Sequence, residues 1–230
     1  MLRWRSGRKL ASMMRRLDSI IALLAVREVY SYKDLSSILG ISVPTLSKYG
    51  QGEIIPSEEK AVAMLNKLLD KKVVKDFMYR LISRYDSDLL RILGKPILME
   101  YVGMYLCNRI VEVLAGSKID AIIAPSDYSL PLASIIAFRL GVFTIPLITW
   151  SQAPSSDEVR ESLRKLLRIK RELSVISVHV VFSKNDAFAL KNIIEQHRFK
   201  LRLVEALLLL DMPLSADILQ KSVLIESILP

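Results

Sequence analysis

Little in this chain of 230 residues invites thiol, metal or dinucleotide chemistry. There is one cysteine, Cys107, so an internal disulfide or thiol cluster is excluded; it lies in the apolar periodic segment ILMEYVGMYLCNRI and is expected as a small buried hydrophobe. The two histidines, His179 inside a strand pattern and His197 after a helical one, have no Cys or acidic cluster at metal-ligand spacing, so no metal site, cofactor or catalytic residue is expected. Eight glycines form no Walker-type or dinucleotide motif, and nothing resembles an activated nucleophile. Long apolar runs are missing too: near the N-terminus the longest, 20–26, is far below the roughly 20 residues of a bilayer span. Arginines alternate through MLRWRSGRK without a following apolar region and small-residue cleavage site, so neither a membrane nor a secretory signal is expected. The expectation is a soluble, cytoplasmic protein.

What is present is apolar bulk and unevenly placed positive charge. Hydrophobic residues make up 51% of the chain, enough to build cores, and the net charge is +9. Residues 1–70 carry 11 Lys/Arg against 7 Asp/Glu, and residues 71–95 carry 7 against 3, whereas residues 96–230 are nearly balanced at 15 against 14. A polyanion is the natural partner of the front part alone, with a merely solubilising face as the alternative.

Apolar periodicity divides the chain in the same place. Leu10, Met13, Met14, Leu17, Ile20, Ile21 and Leu24 recur at helical spacing and predict one buried stripe. Short helices follow: 32–39 with Ser31 as N-cap, one opened by Val43-Pro44 and closed at Gly50 to Gly52, and one capped by Ser57. Residues 71–95 read as a basic amphipathic helix, either a linker or the last helix of the first domain. Beyond Pro96, a helix over 97–115 precedes apolar runs at 121–125, 142–148, 175–182 and 201–210, separated by helical stretches at 130–140, 158–173 and 186–197, with a last helix over 215–228. Nearly continuous apolar strands alternating with helices predict a mainly parallel sheet covered on both faces. The fold class expected is therefore an all-α front domain (1–70), a basic linker (71–95) and an α/β domain (96–230).

In the front domain a glycine turn at Gly40 separates two short helices, and the second presents small polar side chains. The stretch YKDLSSILGISVPTLSKYGQGEIIPS resembles the helix-turn-helix of the phage-repressor/Cro type, in which the second helix enters the DNA major groove. By that resemblance Leu35, Ile38, Ile41 and Leu46 share a small core, and Lys33, Ser42, Val43, Pro44, Thr45, Ser47 and Lys48 contact double-stranded DNA. Arg3, Arg5 and Arg8, with Arg15 and Arg16, add phosphate affinity or a minor-groove arm. The outward positions lack the Arg, Gln and Asn that make bidentate base contacts, and Val43-Pro44 is unusually apolar.

In the rear domain KIDAIIAPSDYSLPLASIIAFRLGVFTIPLI resembles the phosphoribosyltransferase fold, with Ser129-Leu130-Pro131-Leu132-Ala133 in place of a Gly-Ile-Pro-Leu-Ala-like run. That resemblance implies a ligand loop at Ser126, Asp127 and Ser129 and another at Ser183, Lys184 and Asn185. In the family the second loop carries two adjacent acids for the ribose hydroxyls and a glycine loop for the 5′-phosphate. Here Phe182 and Ser183 stand in the acids' places, no glycine follows and the loop is shortened, so lost catalysis is expected.

Together the two resemblances point to regulators that join a helix-turn-helix to a degenerate transferase-like domain, as in archaeal orotate-phosphoribosyltransferase-like regulators. They imply a homodimeric transcriptional regulator with a nucleotide-related effector. Two alternatives stand beside this: a nucleobase phosphoribosyltransferase of altered motif, and a non-enzymatic protein-interaction module.

Overall fold

The computed structural model describes residues 8–125, 127–147, 173–197, 199–209, 219 and 224–229. The chain divides into two compact units, Leu2–Tyr105 and Leu106–Pro230. Among the described residues no helix is long and apolar enough to cross a membrane.

The first unit is helical: α1 (Arg8–Val26), α2 (Tyr32–Leu39), α3 (Val43–Gln51), α4 (Glu58–Leu68), α5 (Lys71–Arg84), α6 (Leu89–Leu93) and the start of α7 (Pro96–Leu114). Its boundaries follow from capping chemistry. The Ser31 hydroxyl accepts the Asp34 N–H while the Asp34 carboxylate accepts the Ser31 N–H, a reciprocal pair that opens α2. The Ser31 hydroxyl, which also donates to Asp34 Oδ2, and then the Ser31 N–H hold the Asp34 carboxyl below the usual carboxylate range. Ser57 and Asp70 cap α4 and α5 by accepting the Lys60 and Lys72 N–H groups, without the reciprocal bond. Pro44 sits in the first turn of α3, where its missing N–H costs nothing.

Gly40 turns the chain between α2 and α3 at φ +71°, and its N–H donates to Ser36 O. A side chain there would be strained by about 1–2 kcal/mol. Gly40→Ala is therefore expected to lower the stability of this unit by that amount in urea unfolding, with α-helical circular dichroism retained at low denaturant.

The buried stripe of α1 is not the expected one. Leu10 (48% exposed), Met13 (57%) and Leu17 (39%) face outward, while Asp18, Ser19, Ala22, Leu23, Ala25 and Val26 are buried. The reason is the size of Ser19, Ala22 and Ala25: small side chains let α4, which buries Ala61, Met64 and Leu68, pack closely on that face. Around Gly40 the expected core is adjusted as well. Leu35, Leu39, Leu46 and Tyr49 are buried, whereas Ile38 and Ile41 are half-buried.

Residues 71–95 form two helices instead of one, interrupted at 85–88, where Asp86 and Ser87 take positive φ. Helix α5 buries Val74, Phe77, Met78 and Leu81. Phe77 meets Tyr101 edge-on at 4.9 Å, and the Tyr101 hydroxyl donates to Leu68 O at 2.5 Å. Burial pushes that hydroxyl's pKa far above its ordinary value. Lys95 Nζ donates to Glu28 Oε2 (2.8 Å) and to the Tyr85 hydroxyl (2.6 Å), and Tyr85 donates to the same carboxylate oxygen. The Lys95 hydrogen bond is the main reason the Glu28 carboxyl titrates low.

The second unit is built on β1 (Ala121–Pro125), α8 (Ser129–Leu140), β2 (Phe143–Leu147), β3 (Leu173–Phe182), α9 (Lys184–His197), β4 (Phe199–Leu209) and β5 (Leu224–Leu229). The strands lie in the order β2-β1-β3-β4-β5, and every neighbouring pair is parallel. Strands β1 and β3 are buried almost throughout, as a sheet with both faces covered requires. Ile123, Val175, Phe182, Leu190, Val204 and Ala206 share one core cluster. Arg109 of α7 places Nε 3.6 Å from Oε1 of the fully buried Glu205 on β4, so charge inside this unit is met by opposite charge.

Two expected helices need correction or qualification. The helix over 158–173 lies outside the described residues except for Leu173, which opens β3. Of the helix expected over 215–228, residues 224–228 belong to strand β5, where Leu224 pairs with Leu203 and Ile225 with Val204. A short apolar run carries no period that separates helix from strand, and the exposed edge of β4 decides it.

Candidate functional site

In the α/β unit the chain leaves β1 through α8 to reach β2 on one side, and β3 then lies on the other side of β1. In open α/β sheets ligands settle outside the carboxyl ends of the strands at such a switch point. Two helices begin there, α8 after β1 and α9 after β3, and each presents the positive end of its dipole.

The loop after β1 is drawn tight by its own side chains. Asp127 Oδ1 accepts the Ser129 N–H at 2.6 Å, and the buried Ser129 hydroxyl accepts the Val180 N–H at 2.9 Å, which ties the start of α8 to β3. Asp127 and Tyr128 are exposed. After β3, the Ser183 N–H and hydroxyl donate to Asp186 Oδ2 at 2.9 and 2.6 Å. Lys184 and Asn185 are exposed, and Lys184 Nζ lies 5.8 Å from the Phe188 ring centroid. Of the expected loop residues, Asp127, Ser129, Ser183, Lys184 and Asn185 thus all lie at the carboxyl ends of β1 and β3, with Ser129 turned inward. Ser126 lies outside the described residues.

Beneath these loops is a buried polar chain that spans two strands. The Ser177 hydroxyl donates to Ile123 O at 3.2 Å and lies 2.7 Å from His179 Nε2. With the serine proton on Ile123 O, Nε2 carries the imidazole proton and Nδ1 is an acceptor; with it on Nε2, Nδ1 carries the proton. His179 is fully buried, Nδ1 meets no hydrogen-bond partner, and the ring packs edge-on to Phe182 at 4.7 Å. Burial depresses its pKa to about 4, against the opposing pull of the Asp186 and Asp127 carboxylates. Among the described residues no group of three or more His, Cys, Asp or Glu side chains could hold a metal ion.

Sequence reading set His179 aside as neither metal ligand nor catalytic residue, named Asp186 only as a residue whose change would test turnover, and left Ser177 unmentioned. The spacing of two between Ser177 and His179 was the available signal, because it puts both side chains on one face of a strand. The search for adjacent acids gave no sign of the bond between Asp186 and Ser183. The first turn of α9 folds a carboxylate from three residues downstream back to Ser183 at the strand end.

In the helical unit Lys33 of α2 and Ser42, Val43, Pro44 and Lys48 around α3 are exposed, while Thr45 and Ser47 are half-buried. The Ser42 and Thr45 hydroxyls are 2.8 Å apart and bond to each other. Arg8 is exposed at the start of α1, whereas Arg3 and Arg5 lie outside the described residues. Arg15 bonds Glu58, and Arg16 Nε donates to Pro56 O at 2.7 Å. These two arginines serve the packing of the unit.

No family model and no curated protein matches the chain. Among solved structures it is similar to an adenine phosphoribosyltransferase with a TM-score of 0.51, at 19% identity over 61% of this chain and 85% of that one. It is also similar to adenine phosphoribosyltransferase from Saccharomyces cerevisiae, solved with an imino-altritol bisphosphate and adenine; the TM-score is 0.50, at 18% identity over 61% of this chain and 84% of that one. The fold is phosphoribosyltransferase-like. This overturns the expectation of a scaffold without catalysis. Both similar structures are of enzymes, and loss of catalysis in this chain does not follow from its altered loops. The expectation had equated the missing adjacent acids with a missing carboxylate, whereas Asp186, in the first turn of α9, folds its carboxylate back to Ser183 just after β3.

Proposed function

We propose that the α/β unit is a nucleobase phosphoribosyltransferase of altered motif, joining a base nitrogen to C1′ of phosphoribosyl pyrophosphate with release of pyrophosphate. The observation that carries this reading is the switch point itself: two helix N-termini and a strand-end carboxylate at the carboxyl ends of β1 and β3, on a fold similar to that of adenine phosphoribosyltransferases. On this reading Asp186 accepts a ribose hydroxyl, Lys184 and the N-terminus of α9 face the phosphate, and the α8 loop faces the pyrophosphate. The test is base exchange with phosphoribosyl pyrophosphate and magnesium, starting with adenine because the similar structures act on it. Absence of exchange with every common nucleobase overturns the reading.

A second reading concerns the helical unit alone, and we propose it on a separate observation. Helix α3 follows α2 across a glycine turn and leaves Val43, Pro44 and Lys48 exposed in a part of the chain that carries the basic excess. That arrangement supports binding of duplex DNA, with α3 in the major groove and Lys33 and Lys48 on the phosphates. A two-fold pair of chains would set two copies of α3 about 34 Å apart on a palindromic site. Lys48→Glu is expected to weaken duplex binding roughly ten-fold and to flatten its salt dependence, with the thermal unfolding curve unchanged. Fluorescence anisotropy at several ionic strengths measures both; equal binding by the variant removes α3 from the interface.

A further inference from the structure

We propose that the helical unit selects duplexes by the C5-methyl groups of thymine, so that its preferred site is rich in A·T pairs. The inference rests on the duplex-binding reading above and narrows it to a class of sequence.

The argument is one of side-chain inventory at the leading edge of α3, the part of a recognition helix that meets base edges. Four residues open that edge: Ser42, Val43, Pro44 and Thr45. The hydroxyls of Ser42 and Thr45 bond to each other at 2.8 Å, which occupies one of their two protons and leaves at most one hydroxyl donor for a base edge. Val43 is 41% exposed although fully apolar, and Pro44 is exposed beside it. Neither offers a donor or an acceptor. The first amide side chain on the helix is Gln51 in its last turn, about 10 Å further along the axis from Pro44 at 1.5 Å per residue. No arginine lies on the helix at all.

The major groove presents donors, acceptors and one apolar feature, the thymine methyl group. An isopropyl group and a pyrrolidine ring can gain free energy from that feature and lose it against the polar edges of G·C pairs, which they would desolvate without replacing a hydrogen bond. Charge complementarity fixes the partner as a polyanion. Lys48 follows Pro44 by four residues and so shares its face of α3, Lys33 is exposed on α2, and Asp34, which follows Lys33 in the chain, is engaged in the Ser31 cap, while Glu53 lies beyond the end of α3. Phosphate contacts from the lysines supply affinity without sequence information, and the apolar edge supplies the discrimination.

The experiment uses the full chain and fluorescence anisotropy at low ionic strength with three pairs of duplexes. In the first pair an A·T-rich duplex is compared with a G·C-rich one. In the second every thymine is replaced by uracil, which removes only the methyl. In the third the cytosines of the G·C-rich duplex are replaced by 5-methylcytosine, which adds a methyl to the major groove. Uracil is expected to weaken binding about four-fold for each methyl contacted, and 5-methylcytosine to tighten it, with the salt slope the same within each pair. Val43→Ala should narrow the thymine–uracil difference and Val43→Ile should keep it; both substitutions fall on one exposed position, and their thermal unfolding should match the parent. Duplex binding that is equal for thymine and uracil, or tighter to the unmethylated G·C-rich duplex, overturns the thymine inference and leaves duplex binding standing. No binding to any of the duplexes overturns the duplex reading, and this inference with it.

Discussion

Asp186→Asn is expected to lower the efficiency of phosphoribosyl transfer on the order of 100-fold while costing about 1 kcal/mol of stability. The two effects have separate causes. Stability falls because the carboxylate accepts both the N–H and the hydroxyl of Ser183 at the mouth of α9. An asparagine oxygen can keep the N–H bond but brings no charge to the helix N-terminus. Activity falls because, on the proposed reading, this is the carboxylate that receives a ribose hydroxyl, and a hydrogen bond to a charged group is worth about 1.5–3 kcal/mol. Steady-state kinetics on the exchange reaction measures the first, and urea unfolding the second. A variant that turns over like the parent would move the hydroxyl-binding role away from Asp186. Ser183→Ala serves as the companion, because it removes the serine hydroxyl from the same cap and leaves the carboxylate in place.

The second large effect is on stability against pH. His179 titrates at about 4 in the folded chain because it is buried, whereas an unfolded histidine titrates near 6.5. Between these values the unfolded chain holds the extra proton, so stability rises with pH through this window. The contribution is fully present above about pH 6.5 and is lost as the pH falls toward 4. At about 1.4 kcal/mol per pH unit it amounts to about 3 kcal/mol. Denaturant midpoints taken across this range should show the slope in the parent and lose it in His179→Phe, whose ring needs no proton. The carboxyl groups of Glu28, Asp34, Glu58 and Asp76 are all held below their ordinary values, so their own losses fall at the acid end of the window or beyond it. An unchanged slope in His179→Phe would place the buried imidazole outside the linkage.

How much of this was legible beforehand depended on which physical signal each element carries. Strands β1, β3 and β4 stood out as apolar runs because a parallel sheet covered on both faces needs both sides of each strand apolar. Helices α2, α3 and α4 were marked by Ser31, Pro44 and Ser57, residues whose capping chemistry is local. The face of α1 was misjudged because hydrophobicity was counted by size. Its packing face is made of Ser19, Ala22 and Ala25, whose value lies in the room they leave. Strand β5 was missed because only its register with β4 separates it from a helix. In the site, the loops at Asp127 and Ser183 were located from the chain, but the Ser177–His179 pair and the return of Asp186 to Ser183 depend on geometry between neighbours that spacing alone does not rank.

The parallel pairing of β1 has a consequence for how the molecule is made. Ala121 on β1 pairs in register with Val175 on β3, so that edge of β1 stays open until a long further stretch of polypeptide has been synthesised. At roughly 5–20 residues per second this is an interval of seconds, whereas helices with local contacts form in microseconds to milliseconds. The helical unit can therefore complete its fold on the ribosome while the nascent sheet still shows an unpaired apolar margin.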